Sequence, residues 1–173
     1  MTPELTPGSM PESMPELTPE QEDFMHGKVN EAVCNSMSWL LKIMAEQYGE
    51  VAYQVFVKAR GKEILRHMGK RAQKLGSNTI EAFIKDQWEV LPEQGYEYTM
   101  EKKETGFLMN VTKCPLYELA KRHGITEQMF YLCCEGDQFA PEGFNPDIGF
   151  KRTKTLMQGD DCCNHFYYYK IGE

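Results

Sequence analysis

The side chains best suited to chemistry lie from residue 114 onward in this 173-residue chain. Cysteine thiolates act as nucleophiles and metal ligands, carboxylates and imidazoles move protons, and guanidinium groups pair with carboxylates. This region therefore holds the groups that a catalytic or metal site needs. The candidate site residues are Cys114, Cys134, Asp137, Arg152, Thr153, Thr155, Cys163 and His165.

Two kinds of site would use these groups. A thiolate activated by His165 or by a helix N-terminus would attack an electrophilic carbon, and it would need no cofactor. Alternatively, two or three thiolates with His165 would bind zinc and activate a bound water. Cysteines also serve as small buried hydrophobic residues, and Asp137 beside Gly136 also suits a turn. Spacing alone leaves these alternatives open.

Composition excludes several classes of protein. The net charge of −7 argues against a nucleic-acid-binding protein, and no apolar run is long enough for a membrane span. The sequence starts without a basic region or an apolar run, so we expect no secretory signal and a cytoplasmic protein with free thiols. The expected partner is a small molecule, and a homodimer is compatible with the sequence. Glycine-loop, GxSxG and HExxH motifs are absent.

The N-terminal segment differs in composition from the rest. Residues 1–23 hold six acids and no base, and proline recurs every fourth residue from Pro3 to Pro19. Proline at that spacing removes a backbone donor from each helical turn. We predict that residues 1–20 form a disordered tail and that residues 21–173 form a single α+β domain.

Apolar residues at three- and four-residue steps predict helices in the first half of the domain. The expected bounds are 22–48, 50–75 and 79–90, with a kink or a division into two helices at Gly61. Pro115 starts a further short helix that ends before Gly124, and another runs from Thr126 to the Cys133–Cys134 pair.

Alternating patterns predict two hairpins, with strands at 96–101 and 107–111 and at 148–156 and 163–169; residues 136–147 are expected to form a loop. The predicted fold is α+β, with N-terminal helices packed on a small antiparallel sheet made of the two hairpins and with short helices between them. Alternation places Cys163 and His165 on one face of their strand. It places Thr153 and Thr155 on one face and Arg152 opposite.

Several short motifs of the sequence resemble those of the L-2-amino-thiazoline-4-carboxylic acid hydrolase family. They are the Cys114–Pro115 step, the Cys-Cys-Glu-Gly-Asp run that ends at Asp137, the Arg-Thr-Lys-Thr-Leu-Met-Gln-Gly run from Arg152, and Cys163. The resemblance covers about residues 95–170. The terminal motif departs from the usual Cys-Asp-Phe, because Asn164 and His165 follow the cysteine.

The resemblance implies hydrolytic opening of a five-membered cyclic isothiourea to N-carbamoyl-cysteine. We expect this reaction to be the hydrolysis of a non-peptide C–N bond in a cyclic amidine. Asp137 or His165 would transfer protons, and Cys114, Cys134 or Cys163 would attack the substrate or hold a metal ion. Arg152, Thr153 and Thr155 would bind the substrate and its carboxylate.

A weaker resemblance links the C-terminal region to 4-vinyl reductase domains, through the Cys-Pro step and a late cysteine-containing strand. It implies a different class of protein, a module that senses a small molecule or a metal without turnover. A lyase or isomerase reaction on the same fold, within specialised metabolism, is a third alternative.

Overall fold

The structure is a computed structural model that describes residues 18–170. The predicted tail falls outside the described residues up to residue 17. By its internal contacts the chain divides into two units, the first ending at Val33 and the second starting at Cys34. The predicted domain bounds of 21–173 stay a prediction.

Helix α1 (Pro19–Tyr48) begins three residues before its predicted start. The Thr18 hydroxyl accepts a hydrogen bond from the Gln21 amide at 3.3 Å, and the Gln21 side chain accepts one from the Thr18 amide at 2.9 Å. Such reciprocal capping satisfies two amides that would otherwise lack partners, and proline is well tolerated at the first helical position. Residues 19 and 20 therefore belong to the helix rather than to the predicted tail.

Helix α2 (Val51–Leu75) runs through Gly61 as one helix, so the alternative of two shorter helices is wrong. A Cβ atom at Gly61 would lie 2.5 Å from the ring of Phe139. The glycine therefore permits close packing of an aromatic ring against the helix rather than a break. Helix α3 (Ile80–Trp88) is capped by Thr79, whose hydroxyl accepts a hydrogen bond from the Ala82 amide.

Four strands form one antiparallel sheet in the order β1-β2-β4-β3. Strand β4 lies between β2 and β3, and its Cys163 and His165 pair with Val111 and Met109 of β2. The two predicted hairpins therefore share one sheet, and the α+β prediction is confirmed. The strands are β1 (Glu97–Lys103), β2 (Gly106–Lys113), β3 (Ile148–Lys151) and β4 (Cys163–Tyr169).

Short helical elements connect the two halves of the sheet. The segment predicted as a loop over 136–147 contains α6, which corrects that prediction, because Phe144 at its end is buried against Phe83. The elements are α4 (Pro115–His123), α5 (Thr126–Met129), a π-helical turn (Phe130–Cys134), α6 (Phe139–Phe144) and a 3₁₀ turn (Leu156–Gln158).

The strand predicted over 148–156 ends at Lys151, so Arg152, Thr153 and Thr155 lie beyond it. The Asn164 side-chain oxygen accepts hydrogen bonds from the amides of Thr153 and Lys154, at 2.9 and 2.7 Å. Because a side chain takes these amides, the regular β-ladder stops, although the segment stays beside β4, where the Asn164 amide donates to the Lys154 carbonyl at 3.4 Å.

The main core lies between the sheet and the helices packed on it. Ile80 and Phe83 of α3 meet Met109, Ile148 and Tyr167 of the sheet. Within residues 18–170, no helix combines the length and apolar character that a membrane span requires. The cytoplasmic location stays a prediction.

The crossing of α2 and α6 yields the first testable prediction. A Cβ atom at Gly143 would lie 2.7 Å from the backbone of Leu65, so Gly143→Ala forces the helices apart. We expect the free energy of unfolding to fall by about 1–3 kcal/mol in urea titrations. Gly27→Ala is the control, because nothing lies within 4 Å of its Cβ position. Equal stability of the two variants would contradict the described crossing.

Candidate active site

One cavity of 220 Å³ brings the predicted chemistry together. It lies where α3, the β2–β4 pair, the start of α4, the π-helical turn and the segment after β3 meet. Side chains from all of these elements line it. Six of the eight candidate site residues are among them, together with Cys133: Cys114, Cys134, Asp137, Arg152, Cys163 and His165.

Asp137 is the centre of the polar contacts in this cavity. Its Oδ2 atom accepts a hydrogen bond from Arg152 Nη1 at 2.5 Å and lies 3.3 Å from His165 Nε2. The side chain is 32% exposed, so the carboxylate reaches solvent although both partners are largely buried. Asp137 therefore links a buried cation and a buried imidazole to the space that a ligand would enter.

Arg152 is held by three kinds of contact. Its Nη1 atom also donates to the carbonyl of Cys134 at 2.9 Å. The guanidinium lies 5.7 Å from the ring centre of Phe130 and 5.8 Å from that of Phe150. Since a guanidinium carries five N–H donors, the bonds of Nη1 leave other donors of Arg152 for a ligand.

His165 sits among aromatic rings, with Trp88 at 5.3 Å and Phe150 at 5.7 Å between ring centres. Within the described residues its Nδ1 atom is buried and has no hydrogen-bond partner. An N–H at Nδ1 would be a buried donor without an acceptor, which is costly. We therefore assign the proton to Nε2, which donates it to the Asp137 carboxylate and fixes its orientation.

Cys114 occupies the N-cap position of α4. The amides of Leu116 and Tyr117 and the Tyr96 hydroxyl approach its sulfur and act to lower the pKa of the thiol, although the amides form no regular capping bond. Burial outweighs these donors, so the pKa of Cys114 is raised overall. The thiol is therefore protonated near neutral pH, but donors for its thiolate are already in place.

Cys133 and Cys134 lie in the π-helical turn, where the Glu135 amide donates to the carbonyl of Phe130, five residues earlier. Burial raises the pKa of Cys133 to about 12 and that of Cys134 further still, and the nearby charge of Asp137 adds to both shifts. Both are therefore protonated thiols near neutral pH. Such π-helical insertions occur frequently at functional sites.

The side chains of Cys163, Thr153 and Thr155 make hydrogen bonds in and around the connection between β3 and β4. The Cys163 sulfur accepts a hydrogen bond from the Leu156 amide at 3.2 Å and lies 3.7 Å from the Thr155 hydroxyl oxygen. The Thr153 hydroxyl accepts a bond from Asn164. Neither threonine lines the cavity, so the geometry gives no support to their predicted role in substrate binding, which stays a prediction.

Sequence reasoning missed Tyr96, Gln87 and Trp88, which also line the cavity. Tyr96 and Trp88 carry no motif, and their positions at the start of a strand and at the end of a helix are equally typical of core residues. The contact of Tyr96 with Cys114 joins residues that only the folded sheet brings together, so no local signal could have revealed it.

A family model matches residues 28–167, which is most of the chain. The chain belongs to the L-2-amino-thiazoline-4-carboxylic acid hydrolase family. The match confirms the predicted resemblance and supports a hydrolase of this family's type. No curated protein sequence matches the chain.

The solved structures similar to this chain include one with low sequence identity. It is subunit 3 of the trafficking protein particle complex from Naegleria fowleri, covalently bound to palmitic acid, with 16% identity and a TM-score of 0.43. The alignment covers 83% of this chain and 97% of that chain. This similarity is too distant to support an argument about fold or function.

All six cysteines lie within the described residues, and none forms a disulfide. Within residues 18–170, no three His, Cys, Asp or Glu side chains lie in an arrangement that would hold a metal ion. The zinc alternative stays a prediction, which metal analysis of the purified protein would test.

The raised thiol pKa values predict how the stability of the protein depends on pH. Above pH 9, the ordinary value for a thiol, the unfolded chain loses the Cys133 proton while the folded chain keeps it up to about pH 12. The folded state therefore loses stability as pH rises through this window, by up to about 1.4 kcal/mol per pH unit for each such thiol.

We expect the loss in free energy of unfolding between pH 8 and pH 10 to be smaller in Cys133→Ala than in the wild type, by roughly 1 kcal/mol. Urea titrations at both pH values measure it. Because each protein is compared with itself at the two pH values, the change in unfolding free energy caused by altered packing cancels. Equal losses would show that Cys133 does not keep its proton.

Proposed function

We propose that this protein hydrolyses a small cyclic isothiourea that carries a carboxylate, of the 2-amino-thiazoline-4-carboxylate type. The family supports a hydrolase of this kind. The observation that carries the proposal is the contact of Asp137 Oδ2 with both Arg152 and His165 at the wall of the cavity. The volume of 220 Å³ suits a small metabolite, because cavities for drug-sized ligands span about 300–1,000 Å³.

The product fixes which bond breaks. N-carbamoyl-cysteine keeps both nitrogens on the carbamoyl carbon and has a free thiol. Water must therefore add its oxygen to the ring carbon between sulfur and nitrogen, and the carbon–sulfur bond must break, with a proton passing to the leaving sulfur. The reaction is thus cleavage of a C–S bond, in place of the C–N cleavage expected from the sequence.

Asp137 is the residue best placed to activate this water. Its Oδ2 atom is occupied by Arg152 and His165, whereas Oδ1 has no hydrogen-bond partner within residues 18–170. A carboxylate held by one oxygen can accept a proton, or bind the cationic amidinium of the substrate, with the other. His165 is then a positioning residue that orients Asp137.

Arg152 suits the carboxylate of the substrate. Its guanidinium lies over the rings of Phe130 and Phe150, which help to hold it, and the N–H groups not used by Nη1 can pair with an anion. Together with Asp137 it offers one positive and one negative partner, which complement a ligand that has a carboxylate at one end and an amidinium at the other.

Cys114 offers a covalent route to the same product. Its thiolate would attack the ring carbon, the ring sulfur would leave and take a proton, and water would then replace the Cys114 sulfur. The amide and hydroxyl donors around the thiol support this route. A mass increase equal to one substrate, seen in the wild type and absent from Cys114→Ser, would distinguish it from direct attack by water.

Asp137→Asn tests the central role of the carboxylate. We expect ring opening of the thiazoline to fall at least 10²-fold, because the amide cannot accept a proton. Binding of N-carbamoyl-cysteine, measured by calorimetry, should weaken far less. The measurements are a thiol-release assay and metal analysis of the same protein preparation.

Asp161→Asn is the matched control, because that carboxylate is 77% exposed in a turn outside the cavity and pairs with Lys154. It should keep wild-type turnover. If Asp137→Asn retained more than a third of the activity, the assignment would fail. If the wild type bound the ligand without any turnover, the result would favour the sensing module.

A further inference from the structure

A second concave surface lies directly against the catalytic cavity. We call it the basic groove, and it is formed by Arg60, Glu63, Arg66, His67 and Lys70 of α2. Gln87 and Ala140 line both the groove and the cavity. The groove and the cavity are therefore adjacent and share part of their lining.

The groove has an excess of positive charge. Within residues 18–170, Glu63 is the one acidic side chain that lines it, and Glu63 forms an ion pair with Arg66. The nearby Asp86 of α3 is paired with Arg71, at 2.5 Å. The charges of Arg60 and Lys70 are therefore left without a carboxylate partner among the groove residues.

The positive charge of the groove also affects a thiol that lines the cavity. The guanidinium of Arg60 lowers the pKa of the Cys133 thiol, which lines the cavity, although burial outweighs that effect. A concave surface with charges of one sign next to low-dielectric walls raises the local concentration of counter-ions and their rate of entry.

We infer that the basic groove is an entry vestibule that concentrates small anions with a free carboxylate beside the cavity. The inference rests on the proposed function and narrows its substrate class, because neutral esters or amides of the same ring would not be concentrated. Arg152 has Asp137 as its partner inside the cavity. The unpaired charges of Arg60 and Lys70 therefore provide the attraction that acts before the ligand reaches Arg152.

Two thiol reagents of nearly equal size test the vestibule without any need for turnover. Iodoacetate is an anion and iodoacetamide is neutral, and each forms a carbon–sulfur bond with a thiolate and releases iodide. The measured quantity is the rate of reaction with iodoacetate divided by the rate with iodoacetamide. The pKa and the accessibility of a given thiol cancel in this ratio. The ratio is read by peptide mass spectrometry at Cys114 in the cavity and divided by the ratio at Cys162, which lies outside it.

The test variant is Arg60→Gln combined with Lys70→Gln. The matched control is Lys58→Gln combined with Lys62→Gln, which removes the same charge from the same helix. Lys58 and Lys62 are exposed and do not line the groove. At low salt we expect the normalised ratio to fall about 3- to 10-fold in the test variant and less than about 2-fold in the control. Salt at 0.5 M should remove most of the difference.

A ratio unchanged in the test variant, or lowered equally in both variants, would overturn the inference. A second readout applies if Cys114 reacts too slowly. In a Trp39→Phe background Trp88, which lines the cavity, is the remaining tryptophan. Quenching of its fluorescence by iodide relative to acrylamide should fall in the test variant only. Neither readout involves ring opening, so failure of the proposed function would leave these results intact.

Discussion

The pairing of β2 with β4 is the constraint on which the cavity depends. Cys163, His165 and Tyr167 of β4 all point into the core, and Met109, opposite His165, is fully buried. Because side chains alternate along a strand, a slip of one residue would turn this whole set to the other face. The burial that fixes the register therefore also delivers a thiol and an imidazole to the cavity. At its far end β2 leads directly to Cys114.

The ion pair of Arg152 with Asp137 is a poor way to stabilise a fold. Removing charges from water costs several kcal/mol for each ion, and well-packed apolar residues often serve as well or better. Here the carbonyl of Cys134 and two aromatic rings help to offset the cost for Arg152. Both side-chain contacts of Asp137 are made by Oδ2, and the Asp137 side chain stays 32% exposed. That arrangement suits ligand recognition better than stability.

The sequence predicted the parts of the site that follow from local pattern. Alternation placed Cys163 and His165 on one face, and Pro115 marked the start of a helix just after Cys114. Helix α6 was missed because its apolar residues gain their partners only from distant segments, as Phe139 does from the surface left by Gly61. The end of β3 at Lys151 depends on the Asn164 side chain, which is distant in the chain from the amides it binds. Neither feature has a signal within one window of sequence.

The position of Arg152 just beyond the end of β3 shows why such departures from regular structure matter for function. A residue within the ladder would have been fixed on one side of the sheet by its strand. Released from the ladder, the chain can direct the guanidinium toward the π-helical turn, where it meets both the Cys134 carbonyl and Asp137. Two local irregularities thus act on Arg152. The early end of strand β3 releases it from the ladder, and the widened helical turn presents the Cys134 carbonyl to it. The regular sheet positions the Cys163 thiol and the imidazole of His165, and the irregular segments supply the charged groups.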